Sequence, residues 1–227
     1  MSQSPNGSST TAGRAGSRLL LAATIVSVGL ASLGTAAIGQ VPRAAETGDQ
    51  VVAWFRDHQD GVRWSVWMFT VATPPFALMF ASQRRLLPAL YRDVFLLGAI
   101  GVLAAPVAQS WILAGLALHA DHLEPATART VLDVALFFGP VLTGSTVTMM
   151  APVTVLALRD GSFPRWLGLL GAIALMEQAV ETITIFGRSG FTEPGGAMNL
   201  QLGAALVLGW MLAFGIWGGL RGSAAQA

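Results

Sequence analysis

The segment Trp166–Gly187, WLGLLGAIALMEQAVETITIFG, is apolar over the length that a membrane crossing requires. A helix needs about 20 mainly apolar residues to cross the hydrocarbon core of a bilayer. Five further segments of similar length occur in the chain. The six predicted spans are Leu19–Val41, Trp64–Ser82, Val94–Leu118, Val131–Leu158, Trp166–Gly187 and Ala197–Leu220. The sequence therefore predicts an all-α, polytopic membrane bundle of six transmembrane helices.

The composition excludes several classes of protein. The chain is 53% hydrophobic and 11% charged, whereas a soluble domain is about 25% charged. It contains no Cys, which excludes disulfides and Fe–S clusters, and no Lys, which excludes a retinal-type Schiff base. The formal net charge of +1 gives no indication of a nucleic-acid partner. Its basic residues are all Arg, and with the abundant Ala and Gly this is typical of GC-rich coding, as in actinobacteria.

The segments outside the spans predict a simple organisation. Residues 1–17 are rich in Ser, Gly and Thr and are expected to form a disordered tail. Residues 18–221 form the transmembrane domain, and 222–227 form a short tail. The loop 42–63 mixes apolar and charged residues, which predicts a short amphipathic helix at the membrane interface.

Arginine placement predicts the orientation, because cytoplasmic loops carry an excess of basic residues. With the N-terminus inside, eight arginines are cytoplasmic and five lie outside. The eight are Arg14, Arg18, Arg84, Arg85, Arg92, Arg159, Arg165 and Arg221. We therefore expect a multi-pass protein of the plasma membrane with both termini in the cytoplasm. A cleaved signal peptide is the alternative for the first span, but that apolar run exceeds the usual 7–15 residues.

Two short stretches resemble a known group of proteins. Residues 159–168 read RDGSFPRWLG, and Trp54-Phe55-x-x-His58 precedes the second span. Both are similar to small six-span actinobacterial membrane proteins of unassigned function. The resemblance implies an architecture and no activity. Span five departs from that group, which usually carries plain Leu, Val and Ala where this chain has acidic and amide residues.

Glu177 and Glu181 are the candidate catalytic residues of span five, with Asp133 on span four as a third. At i and i+4 the two glutamates share a helix face. Counted from Arg165 at about 1.5 Å per residue, Glu177 lies about 18 Å into the span, near the midplane. A charge there costs at least about 2.5 kcal/mol, so such residues face the bundle interior. We expect Glu177 to stay protonated as the acid and Glu181 to remain ionised near Arg188. The alternative is a structural network in which Arg188 and nearby hydroxyls satisfy both carboxyls.

Aromatic and polar residues at comparable depth are candidates for substrate binding, because aromatic faces stabilise cations. These candidates are Gln109, Trp111, Phe137, Phe138, Gln178 and Thr184. A shared cavity would also gather other polar residues of the spans: Thr70, Thr73, Ser110, Thr143, Asn199 and Gln201.

One loop contains a cluster typical of metal ligands, His119-x-Asp121-His122-x-Glu124. Its spacing matches no established site, so we predict no bound metal. The chain also lacks a Walker loop, a dinucleotide fingerprint and a zincin motif. It has no Asp-rich diphosphate motif either, and we expect no cofactor.

Three classes of function remain open. The first is a membrane enzyme that protonates a lipophilic, isoprenoid-like substrate; this chemistry resembles that of the small membrane-embedded, non-canonical terpene cyclases, without a shared residue motif. The second is a small proton-coupled transporter or exporter. The third is a non-catalytic assembly or sensing subunit. In each case the expected partners are the bilayer and, for the first two, a lipophilic small molecule, with no nucleic acid.

Overall fold

The computed structural model describes residues 8–224, and the side chains of residues 16–221. Within that range the chain is 85% helix and has no strand. The helices are α1 (Ser8–Ile38), α2 (Gly48–Asp57), α3 (Gln59–Gln83), α4 (Ala89–Leu118), α5 (Pro125–Leu136), α6 (Phe138–Arg159), α7 (Arg165–Glu181) and α8 (Ala204–Ala224). Six helical segments are long and apolar enough to cross a membrane. The predicted all-α architecture with six candidate spans is confirmed to that extent.

The first helix begins earlier than the sequence predicted. Residues 8–17, expected to be disordered, form the start of α1, while residues 1–7 of that tail lie outside the described residues. Extending an existing helix adds one hydrogen bond per residue and needs no new nucleus. No proline follows Pro5 in this segment to stop the helix. At the other terminus, α8 continues to Ala224 and residues 225–227 lie outside the described range.

The six spans form a closed ring in chain order. Going around it, α1 packs on α3, α3 on α4, α4 on α6, α6 on α7, α7 on α8, and α8 again on α1. Small residues allow close approach within the ring. An added Cβ on Gly98 of α4, for example, would meet the backbone of Met149 on α6. Such small-residue contacts are how membrane helices pack in the absence of a strong hydrophobic drive.

The loop after α1 contacts helix α5 and the loop after α7 at one end of the ring, which we call the α2 end. Arg129 donates to the carbonyl of Arg43 at 2.9 Å, and the Ala44 amide donates to Glu193 Oε2 at 3.2 Å. The other end, the opposite end, carries the turn between α6 and α7, where Arg221 donates to the Ser162 carbonyl at 3.1 Å. These contacts define the two ends without assigning either to a side of a membrane.

The predicted loop helix forms as α2, but its apolar face is used differently. Thr47 and Gln50 cap its start reciprocally, which satisfies two backbone N–H groups. Val51, Val52 and Phe55 are buried against the protein, chiefly α5. The amphipathic pattern therefore reflects packing onto the bundle rather than insertion of that face among lipids.

Span four, predicted over Val131–Leu158 with Pro140 as a kink, is interrupted in the structure. Helix α5 ends at Leu136 and α6 begins at Phe138, with Phe137 as the joint. The cause is Pro140, which lacks an N–H and whose ring excludes the carbonyl four residues earlier from a regular helix. Gln109 on α4 donates to the carbonyl of Ala135 at 3.1 Å and so satisfies one acceptor at the break.

Aromatic side chains fill the ring toward the opposite end. Phe80, Phe95 and Phe214 make successive edge contacts with ring centroids 6.1 and 6.2 Å apart. Phe163, from the turn between α6 and α7, packs on Phe214 at 5.7 Å. All four side chains are buried. This packed layer leaves the space inside the ring to the half nearer the α2 end.

Candidate functional site

A cavity of about 560 Å³ lies inside the ring, in the half nearer the α2 end. Its wall is formed by α1, α3, α4, α6, the end of α7 and the start of α8. Five phenylalanines contribute to it: Phe69, Phe76, Phe80, Phe138 and Phe191. Small-molecule sites typically measure about 300–1,000 Å³ and are mainly apolar with a few polar groups. The cavity has the size and lining of a site for one lipophilic small molecule.

The main polar group beside the cavity is a carboxyl–amide cluster formed by Glu177, Gln178, Glu181 and Asn199. The Gln178 amide donates to Glu177 Oε2 at 3.0 Å and to Glu181 Oε2 at 2.5 Å. The Asn199 amide donates to Glu181 Oε1. Glu181 is 3% exposed and lies on the cavity wall, whereas Glu177 is buried beside it and does not line the cavity. Both amides therefore hold the carboxyl of Glu181 in place.

Irregular backbone on two sides shapes this cluster. Helix α7 ends at Glu181 in a 3₁₀ turn, Thr182–Phe186, and α8 is preceded by a π-helical turn, Met198–Gly203, that carries Asn199. Such interruptions are tolerated at membrane depth only where the backbone is buried or lines a cavity. The Thr184 hydroxyl donates to the Glu181 carbonyl at 2.7 Å and satisfies an acceptor at the helix end.

Two glycines permit the close approach of neighbouring helices to the cluster. A Cβ added at Gly203 would lie 2.9 Å from Glu181 Oε2 and 3.3 Å from Glu177 Oε1. A Cβ added at Gly139 of α6 would overlap the Asn199 amide. The absence of a side chain at both positions is therefore what brings Asn199 and the π turn against Glu181.

The cluster contains two carboxyl groups and no basic side chain among the described residues. Among the described residues, no arginine or histidine forms an ion pair with Glu177 or Glu181. The last turn of α7 contains no basic residue, and a helix C-terminus carries partial negative charge. The sequence predicted that Glu181 lies near Arg188, with a structural network of Arg188 and hydroxyls around both carboxyls as the alternative. In the structure the 3₁₀ turn ends the α-helical periodicity, and Arg188 lies on the following exposed segment and forms no ion pair with either glutamate. A proton or a bound cation must therefore offset the charge of these carboxyls.

The structure brings part of the predicted site together. Glu181, Gln178, Gln109 and Phe138 lie on the cavity wall. Glu177 belongs to the carboxyl–amide cluster, and Thr184 donates to the backbone carbonyl of Glu181; neither side chain lines the cavity. Other polar candidates that line it are Thr73, Ser110, Asn199 and Gln201.

Three of the predicted site residues lie elsewhere. Trp111 is 74% exposed, because its neighbour Ser110 faces inward and leaves Trp111 on the outer side of α4. Phe137 is the half-exposed joint of span four. Asp133 pairs with Arg129 at 2.5 Å on a part of α5 that lies before the break. Thr70 and Thr143 do not line the cavity either, and each hydroxyl donates to a backbone carbonyl of its own helix.

Sequence reasoning missed two charged residues of the cavity, Glu193 and Arg43. Glu193 is 3% exposed and accepts from the Ala44 amide, so it joins the loop after α7 to the loop after α1. Arg43 lines the same end of the cavity with an exposed side chain. Both lie in loops without periodicity, where the sequence carries no signal of burial.

The loop residues typical of metal ligands have other partners. Glu124 caps α5 by accepting from the backbone N–H groups of Thr127 at 2.7 Å and Ala126 at 3.1 Å. These bonds hold the pKa of Glu124 below its usual value. Asp121 lies 4.0 Å from Arg56. Within residues 8–224, no group of three or more His, Asp or Glu side chains is arranged to hold a metal ion.

Comparison of the chain with known protein families, curated proteins and solved structures found no match. The resemblance to small six-span actinobacterial proteins therefore stays a prediction.

Proposed function

We propose that this protein is a membrane enzyme that binds a lipophilic, isoprenoid-like molecule in the central cavity and protonates it from Glu181. One observation carries the proposal: a carboxyl group lies on the wall of a mainly apolar, phenylalanine-rich cavity, and no basic residue of the described chain is paired with it. A carboxyl in such surroundings favours its neutral form, in which it is a proton donor.

The proposed step is an acid-initiated rearrangement of an alkene. The Glu181 O–H bond breaks, its proton forms a C–H bond with one alkene carbon, and the other carbon becomes a carbocation. The cation then cyclises or shifts, and loss of a proton from an adjacent carbon to the carboxylate gives a new alkene. No oxidant or reductant is consumed and the carboxyl is regenerated. General acid catalysis of this kind contributes about 10²–10⁴-fold in rate.

The other residues of the cluster have supporting roles in this proposal. Gln178 and Asn199 orient the carboxyl of Glu181, and the phenylalanine faces on the same cavity wall stabilise positive charge in the substrate. This reverses the roles expected from the sequence, where Glu177 was the acid, because Glu181 is the carboxyl that reaches the cavity.

We further propose that the protein lies in the plasma membrane with both termini in the cytoplasm. In that location a lipophilic substrate can enter the cavity from the bilayer. The arginine distribution supports this orientation, and the six long apolar helices support a multi-pass protein.

Solvent deuterium tests the proposed reaction. Purified protein in detergent is incubated in D₂O with acyclic polyprenyl alcohols and with lipids extracted from membranes of its own cells. The expected product is an isomer that carries deuterium on carbon, detected by mass spectrometry, and Glu181→Gln should lose it. Asp57→Asn, an exposed change on α2, is the matched control. Equal deuterium uptake by wild type and Glu181→Gln would rule out Glu181 as the acid.

Proton-coupled transport is the second candidate, and the broken helices favour it. The joint at Phe137, the 3₁₀ turn after α7 and the π turn before α8 all lie near the carboxyl–amide cluster. Transporters commonly build their substrate and ion sites from such discontinuous helices. Uptake of a lipophilic solute into proteoliposomes that depends on an imposed pH gradient, without chemical change in the solute, would favour transport over catalysis.

A further inference from the structure

The cavity wall carries more buried negative than positive charge. Glu181 and Glu193 both line it and are each 3% exposed, and Glu177 is buried directly behind Glu181. Among the residues whose side chains the structure describes, Arg43 is the one basic residue on the wall, and its side chain is exposed at the α2 end. Among the described residues, none of the three carboxyls forms an ion pair.

Hydrogen bonds only partly compensate the negative charge of these carboxyls. Glu181 receives two amide donors, and Glu193 receives one backbone N–H, from Ala44. Amide donors stabilise a carboxylate without neutralising it, so a buried carboxylate still favours a positive partner. Glu181 and Glu193 both lie on the cavity wall, so a cation bound in the cavity is attracted to both carboxylates.

The apolar part of the wall suits the same class of ligand. Phe69 and Phe76 lie on α3 and Phe138 begins α6, so aromatic rings line the cavity from two helices. Aromatic faces attract cations through the negative potential above the ring, and they also bury apolar groups. A cation of high charge density, such as a metal ion, would gain little from this lining, whereas an organic cation uses both the rings and the carboxyls.

We infer that the cavity binds lipophilic organic cations of single charge, and that Glu181 and Glu193 select them over neutral and anionic molecules of the same shape. The inference rests on the proposed function, because Glu181 serves both. Glu181 is the neutral proton donor while the cavity is empty, and it releases that proton to solvent when an organic cation binds beside it, because a nearby positive charge favours the carboxylate. In the proposed reaction, the carboxylate that remains after proton transfer faces the carbocation. In proton-coupled transport, the cation would itself be the cargo.

A pair of ions of the same shape and opposite charge tests this selectivity. Tetraphenylphosphonium and tetraphenylborate are titrated separately onto the full chain in lipid nanodiscs, with empty nanodiscs subtracted. The expected result is saturable binding of the phosphonium ion at least about ten-fold tighter than that of the borate ion. Equal affinity for the two ions, or binding no greater than to empty nanodiscs, would overturn the inference.

Two carboxyl variants and one control show whether the named residues cause the selectivity. Loss of one partner of a buried charge pair costs about 2 kcal/mol or more, so Glu181→Gln should weaken phosphonium binding about 30-fold or more. Glu193→Gln, closer to the α2 end, should weaken it less. Asp57→Asn should bind as the wild type does. Unchanged phosphonium affinity in both glutamine variants, each shown to be monodisperse, would remove these residues from the inference and overturn it.

This binding assay separates the inference from the proposed enzyme activity. Phosphonium selectivity without deuterium incorporation into any lipid supports the inference and contradicts the enzyme proposal. Deuterium incorporation that depends on Glu181, together with equal binding of the two ions, supports the enzyme and contradicts the inference.

Discussion

Asn199 donates a side-chain hydrogen bond to Glu181 across 18 positions of sequence, and this bond joins the start of the last span to the end of the one before it. It fixes the carboxyl that lies on the cavity wall, together with the bond from Gln178. The end of α7 and the π turn before α8 are thereby held around one functional group. The arrangement makes the two glutamates of α7 unequal, although they are one turn apart on the same helix.

The inequality predicts different effects of the same substitution. Glu181→Gln should lower proton transfer about 10²–10⁴-fold, since it removes the acid, and Glu177→Gln should lower it much less. Deuterium incorporation from D₂O, compared at equal amounts of folded protein, is the measurement. A larger loss in Glu177→Gln would return the role of acid to Glu177.

Asn199 should act as a positioning residue. Asn199→Ala removes a donor from a carboxyl group, and hydrogen bonds to charged groups contribute about 1.5–3 kcal/mol. We expect a lower thermal stability in detergent and a reduced rate without a change in the product formed. Gln201→Ala, on the same turn and also at the cavity wall, is the control, because no side-chain bond joins Gln201 to Glu181 among the described residues. Equal effects of the two variants would show that the Asn199 bond has no special role.

Gly203 and Gly209 form a matched pair at the start of the last span. A Cβ at Gly203 would lie 2.9 Å from Glu181 Oε2, whereas a Cβ at Gly209 would have nothing within 4 Å. An added methyl at Gly203 must shift the carboxyl of Glu181. Because Gln178 and Asn199 hold that carboxyl, Gly203→Ala should destabilise the protein by about 1 kcal/mol. Gly209→Ala should be neutral or slightly stabilising, because Ala favours a helix over Gly. Thermal unfolding followed by tryptophan fluorescence compares the two, and equal midpoints would contradict the proposed close approach.

Glu124 makes stability depend on pH at the α2 end. Backbone N–H donors of Thr127 and Ala126 lower its pKa in the folded protein. A lowered folded pKa means that the carboxylate stabilises the fold above its unfolded value, and that this contribution is lost as pH falls through the folded value. Glu124→Gln should lower thermal stability at pH 7 and make no difference at a pH below the folded value. A constant difference at all pH values would show that the charge of the cap is irrelevant.

The proposed orientation is testable because the chain has no native cysteine. A single cysteine at Ala126, at the α2 end, should react with a membrane-impermeant thiol reagent on intact cells. One at Ser162, in the turn at the opposite end, should react only after the cells are opened. The reverse pattern would place the α2 end in the cytoplasm.

Composition and pattern were sufficient to predict the spans, because an apolar run of about 20 residues has few other structures available to it. The break at Phe137 was harder to place, since prolines kink some membrane helices and interrupt others. Pro106 lies within the continuous α4, whereas Pro140 follows directly after the interruption of span four.

The candidate site was predictable in part for a similar reason. Carboxyls inside an apolar span must face the interior, and Glu177, Gln178 and Glu181 do so. Which glutamate reaches the cavity depends on how the π turn packs against α7 at Gly203. That packing is tertiary structure, which the sequence pattern does not predict. The sequence wrongly predicted Trp111 on the cavity wall, because an aromatic side chain deep in a span can face lipid as readily as a cavity. Glu193 lies in a loop, where burial leaves no periodic trace in the sequence.

The ring order of the spans has a consequence for biosynthesis. Each span packs on the one made just before it, and the packing of α8 on α1 closes the ring. Span five therefore enters the membrane before Asn199 has emerged, with Gln178 as the side-chain donor already on the same helix. Until the last span inserts, the carboxyl of Glu181 lacks the donor of Asn199, and the cavity lacks the part of its wall that α8 supplies. Insertion of the last span therefore completes the cluster and the cavity in one step.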